Sequence, residues 1–224
     1  MFKTLIIALL KETLSFLAKH PDFFKKDEKG RLEAMESTRI PACFKHAFAE
    51  HSEKSFMKDL HLASAFAAGQ EVSVKGSPFF KALAEFLTGP FAAKLDVLDK
   101  HFYLLSPGKR AALVAELVKS ESAVADALRQ LLSTYSYQEL AQAILALLQS
   151  FSGAPSILIQ SPREVDAELK KEIRAHLTKE NPLSFPVYQI NKNLIGGLRV
   201  FKNGQVMDHS WLSRVLQFTS LTAA

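Results

Sequence analysis

Asp208, His209 and Ser210 stand side by side near the C-terminus and carry an acid, a base and a hydroxyl, the residue types of a hydrolytic triad. Their adjacency argues against that chemistry. Successive side chains of a strand point to opposite faces, so three neighbours do not converge on one substrate atom. Turn bonding by Asp208 and helix capping by Ser210 are the expected roles. Cys43, His46 and His51 offer zinc-ligand types within one short stretch. No partner cluster accompanies them, so they are expected to be ordinary helix residues. Gly196-Gly197 lacks the Lys-Ser/Thr continuation of a phosphate loop. His20, His61, His101 and His176 are isolated and read as surface or packing residues. Arg199, Lys202 and Arg214 surround a predicted turn and could touch phosphates. Apart from Phe201 and Trp211, few aromatics are placed there to stack on bases, and acidic residues are interleaved with the basic ones. These residue types predict no catalysis, no cofactor, no metal and no nucleic-acid partner.

Composition narrows the class of molecule that must position such residues. The chain has 224 residues, 48% hydrophobic and 23% charged, which is enough to bury a sizeable core and argues against global disorder. The net charge of +5 is spread over solvated positions, since Lys25-Lys26 runs at once into Asp27-Glu28. A single cysteine, Cys43, excludes an intramolecular disulfide and fits a reducing compartment. The apolar run from Leu5 to Leu10 is interrupted by Lys11-Glu12, far short of the ~20 residues a spanning helix needs. Membrane association is therefore expected only through partners.

The apolar periodicity is helical over the first two thirds. Leu5, Leu9, Phe16 and Leu17 predict a helix over residues 2–19, and Arg31 to Arg39 a second one stopped by Pro41. Residues 42–68 read as one long helix ended by Gly69. Ser77-Pro78 opens another, which Gly89-Pro90 is expected to break. Residues 91–105 follow as a short helix, and residues 109–132 as two helices parted near Ser120. Ser136-Tyr137-Gln138-Glu139 has capping-box spacing and starts a helix that runs to Gly153. After Gly153-Ala154-Pro155 the pattern changes. Ser156 to Gln160 reads as a strand, and Ser161-Pro162-Arg163-Glu164 as a second capping box. Val165, Leu169, Ile173 and Leu177 form a single apolar stripe, and Phe185 to Ile190 a further strand. The fold class predicted is mostly α: a helical bundle over residues 1–152, of roughly six to eight short helices, followed by a small α+β domain over residues 153–224.

The last part of that domain is the most informative. Leu194 to Phe201 and Gln205 to Met207 are two short apolar runs separated by Asn203-Gly204, the pair that best fills a two-residue hairpin turn. Gly196 and Gly197 inside the first run predict a bulge or the close approach of another backbone. Trp211 to Leu216 is a short helix candidate with Ser210 as its cap. Leu194, Ile195, Gly196, Gly197, Gly204, Asp208, Ser210, Arg214 and Leu216 together resemble the C-terminal signature of the δ subunit of F-type ATP synthases, the oligomycin-sensitivity-conferring protein of mitochondria. The strand, helix, strand, hairpin, helix order also follows that family's C-terminal domain. Phe44-Lys45-His46-Ala47-Phe48 echoes the family's opening pattern only faintly, and the N-terminal half is longer than the family needs.

The resemblance implies a non-catalytic stator subunit. It would tie the catalytic head to the peripheral stalk and resist rotor torque during proton-driven ATP synthesis. It implies that the helical domain receives N-terminal helices of the head's α subunit and that the C-terminal domain binds the b-type stalk. It also implies a peripheral place on the cytoplasmic face of a bacterial inner membrane or the matrix face of the mitochondrial one. The stripes Leu5–Leu17 and Leu140–Phe151 are candidates for a partner groove, with simple core packing as the other reading. A helical adaptor or a basic nucleic-acid-binding protein with a δ-like C-terminal domain is the alternative.

Overall fold

The computed structural model describes residues 1–152, 156–211 and 213. Among these the chain is mostly helical, with one small four-stranded sheet in its C-terminal part. Helix α1 (Lys3–Lys19) buries Leu5, Leu9 and Phe16 against α4 (Glu53–Ala68) and α9 (Ala123–Thr134). The Glu12 carboxylate of α1 accepts from the Ala123 N–H at 3.1 Å, so the first helix completes the start of one that follows 111 positions later.

Several helix boundaries follow from local chemistry. Gly69 ends α4 at φ 88°, in the left-handed region that favours glycine. The Ser77 hydroxyl accepts from Phe80 N–H and Pro78 occupies the first turn of α5 (Pro78–Phe86). Before α10 (Tyr137–Ser152) the capping box closes both ways. Glu139 accepts from Ser136 N–H at 2.8 Å, and Glu139 N–H donates to the Ser136 hydroxyl at 3.3 Å. Ser122 caps α9, which parts it from α8 (Pro107–Leu117) as expected.

Four boundaries differ from the sequence expectation. Helix α2 (Glu28–Met35) begins earlier than Arg31, because the Asp27 carboxylate caps it through Gly30 N–H. Residues 42–68 form two helices, α3 (Ala42–Glu50) and α4, since the Ser52 hydroxyl accepts from Ser55 N–H and restarts the helix. Arg31 holds this break by donating to the Ala49 and His51 carbonyls at 3.1 and 2.7 Å. Gly89-Pro90 does not end α5; a widened π-type turn over Leu87–Phe91 absorbs the proline and continues into α6 (Ala92–Val97). Asp99 then caps α7 (Lys100–Leu104), dividing what the sequence reads as one helix.

The sheet runs β2-β1-β3-β4, from strands β1 (Ser156–Ser161), β2 (Phe185–Ile190), β3 (Gly197–Lys202) and β4 (Gln205–Ser210). Strands β1 and β2 are parallel and joined through α11 (Ala167–Glu180), while β3 pairs antiparallel with β1 and β4. The second capping box is not formed. Asp166 caps α11 through Leu169 N–H, and Glu164 instead accepts from Lys100 N–H at 2.9 Å, across to the helical part. Phe185 belongs to the large helical core, whereas Ile157, Ile159, Val165 and Leu194 are buried apart from it. The sheet therefore leans on the helices through Phe185.

Candidate functional site

The hairpin of β3 and β4 brings most of the signature together. Asn203 and Gly204 turn it with φ 52° and 82°, both positive as that pair predicts. Gly197 opens β3 at φ 77°, and a Cβ there would run into the backbone carbonyl of His209, with Ser210 Cα at 3.0 Å. Gly196 lies just before the strand rather than inside it, and a Cβ there would press on the Trp211 indole at 3.2 Å. The expected close approach is thus of two kinds, one to backbone and one to a ring. Leu194 is buried, and Ile195 is 75% exposed beside Trp211 at 65%.

Asp208 and Ser210 take the structural roles expected of them. The Asp208 carboxylate faces Arg199 across the pair, at 2.6 Å from Nη2, and accepts from Ser210 N–H at 2.9 Å. The Ser210 hydroxyl accepts from Ser213 N–H at 3.3 Å, as a cap does. Hydrogen bonds from the Ser210 hydroxyl and N–H, then the Arg199 guanidinium, hold the Asp208 carboxyl down at about 2. No triad forms from these three neighbours. Arg214 and Leu216, and with them the final helix candidate, lie outside the described residues. Arg199 is paired with Asp208, and Lys202 with Glu180 at 2.8 Å. Cys43, His46 and His51 form no metal group among the described residues, and burial lifts the Cys43 thiol to about 11.

Most of the two candidate partner stripes is core, with Leu17 and Phe151 half-buried at their ends. Leu5 and Leu9, and Leu140, Ile144 and Leu148, are buried; the outward apolar positions of α1 are Ile7 and Leu14.

A charged cluster that the sequence reading missed joins the helical part to the sheet. The stripe Leu169, Ile173 and Leu177 is only half-buried, and the buried face of α11 is instead Lys170 and Arg174. Arg174 grips the Asp96 carboxylate of α6 with Nε at 2.9 Å and Nη2 at 3.0 Å, and donates to the Thr88 carbonyl in the widened turn. Lys170 donates to the Asp96 backbone carbonyl at 3.3 Å. Asp96, Lys170 and Arg174 are 5%, 5% and 7% exposed. Loss of hydration lifts the Asp96 carboxyl above its ordinary range, against the pull of Arg174 and Lys170. The signals were there: one acid inside Leu95-Asp96-Val97-Leu98, and two cations four apart on one helix.

Beside this cluster a cleft of about 640 Å³ opens between α10, α7 and the β1–β2 edge. Tyr137 spans it, its hydroxyl accepting from Tyr188 N–H at 3.1 Å, and burial raises that phenol to about 12. The Tyr103 hydroxyl and Arg110 Nε are buried without a hydrogen-bond partner among the described residues.

Comparison with protein-family models gives no match, and comparison with curated proteins gives none either.

Proposed function

We propose that the protein is a stator subunit of an F-type ATP synthase, a non-catalytic link between the catalytic head and a b-type stalk. The observation that supports it most is the hairpin. The signature residues Leu194, Gly197, Gly204, Asp208 and Ser210 each have a geometric task in one compact unit, at the spacing the δ family uses. The helical part fits a receiving role for an amphipathic helix, since α1 leaves Ile7 and Leu14 outward. Ile195, Val206, Met207 and Trp211 are exposed around the hairpin, Val206 and Met207 on opposite faces of β4, and are the apolar residues available to a stalk. No helix among the described residues is long and apolar enough to cross a membrane, so the proposed place on a coupling membrane is reached through partners. With Arg199 and Lys202 both paired to carboxylates, the nucleic-acid reading has less support.

The test is capture of the tagged chain from detergent-solubilised membranes of its source cell, followed by mass spectrometry. Head α and β subunits are expected together with a b-type subunit. A Gly197→Val variant is expected to retain the α subunit and lose the b-type one, since only the hairpin is damaged. Recovery of other partners in place of all three refutes the stator role and leaves the adaptor reading.

A further inference from the structure

The charge balance of the buried cluster does not close among the described residues. Two buried cations, Lys170 and Arg174, stand beside the single carboxylate of Asp96, which pairs with Arg174, so one positive charge is held in excess. A buried charge is costly unless paired and hydrogen-bonded. Arg174 has its pair. Lys170 has no carboxylate partner among the described residues: an ammonium carries three donors, and the one acceptor they offer it is the Asp96 backbone carbonyl at 3.3 Å. The face of Tyr188 at 5.7 Å adds only a weak attraction.

Lys170 also lines the 640 Å³ cleft, whose other walls are largely apolar: Leu98, Ala141, Leu145, Leu158 and Val187. That volume is within the ~300–1,000 Å³ of small-molecule sites, which combine apolar walls with a few placed polar groups. The remaining charges at the cleft are Lys100, Arg163 and Glu164, and the Glu164 carboxylate already accepts from Lys100 N–H. The local balance is positive throughout.

We infer that this cleft binds a small amphipathic anion, with its apolar body against Leu145 and Leu158 and its single anionic head on Lys170. Such a ligand supplies the acceptor the ammonium lacks and neutralises the excess charge, while its body displaces water from the apolar walls. The site is independent of the stator reading, since it lies on neither the hairpin nor the outward face of α1.

The test uses the full chain and two fluorescent probes that share one ring system. 8-Anilinonaphthalene-1-sulfonate carries the anionic head, and N-phenyl-1-naphthylamine is the same body without it. The sulfonate is expected to bind saturably at one site per chain and more tightly than the neutral probe. Lys170→Met is expected to weaken the sulfonate by roughly tenfold or more, the worth of a lost charge-assisted hydrogen bond, and to leave the neutral probe unchanged. Leu145→Trp, which fills the cleft from the other wall, is expected to remove both. Equal affinity for the two probes overturns the inference, as does a folded Lys170→Met variant that binds the sulfonate like the parent. If Lys170→Met does not fold, saturable sulfonate binding that survives Leu145→Trp overturns it instead.

Discussion

Replacing Asp96 by alanine tests how the two parts of the molecule are held. The parent cluster carries one excess positive charge; Asp96→Ala raises it to two, with both cations still buried. Arg174→Met lowers it to zero, with Lys170 acting on the Asp96 carboxylate through space while bonded to its backbone carbonyl. The double variant returns to the parent's single excess charge. Removing one member of a buried pair costs about 3–5 kcal/mol, because the survivor keeps its desolvation penalty. Asp96→Ala is therefore expected to lose about 3–5 kcal/mol, or roughly 6–20 °C in melting temperature for a chain of this size. Arg174→Met is expected to lose less, since the cluster is then neutral overall and Lys170 still acts on the Asp96 carboxylate through space. The double variant lies between them and is better than the sum of the two losses by about 2 kcal/mol or more. Urea denaturation of the four proteins, followed by far-ultraviolet circular dichroism, gives the cycle. An Asp96→Ala loss below about 1 kcal/mol, the range of an exposed pair, refutes the reasoning. So does a loss smaller than that of Arg174→Met.

Two further predictions concern the hairpin. Gly204→Ala meets nothing within 4 Å and carries only the left-handed backbone cost of about 1–2 kcal/mol, whereas Gly197→Ala adds a collision with the His209 carbonyl. Gly197→Ala is expected to be the more destabilising by at least about 1–2 kcal/mol in chemical denaturation, and equal losses would contradict the geometry. Asp208 has a folded pKa held below its unfolded value, so its contribution is complete above about pH 4 and fades as pH falls through about 2. Carboxyl-carbon NMR titration should place its midpoint near 2, with Arg199→Gln raising it; a midpoint near 4 in the parent excludes the arrangement.

What was legible in the sequence was local. Ser136 to Glu139, Ser77-Pro78, Gly69 and Asn203-Gly204 each fix the backbone within a few residues, and each does so in the fold. Ser52 is equally local, but Phe48 and Phe56 keep the apolar pattern running through the break and hide it. Pro90 misleads in the opposite way: a proline removes one N–H, yet a widened turn can carry it when Leu87 and Phe91 are both buried in the core. The α11 face could not be read from its stripe. Lys170 and Arg174 turn inward only because Asp96 waits more than seventy positions earlier, and hydrophobic periodicity contains no information about so distant a carboxylate.

The seat of α1 against both α4 and α9 has a consequence during synthesis. The first helix leaves the ribosome with Leu5, Leu9 and Phe16 uncovered, and α4 supplies only part of their cover. The rest, with the Glu12 bond to Ala123, arrives when α9 emerges, on the order of ten seconds later at ordinary elongation rates. For that interval the nascent chain displays an apolar helix face of the kind that holding chaperones recognise. The order in which the chain is made, and not its final stability, sets how long that face is open.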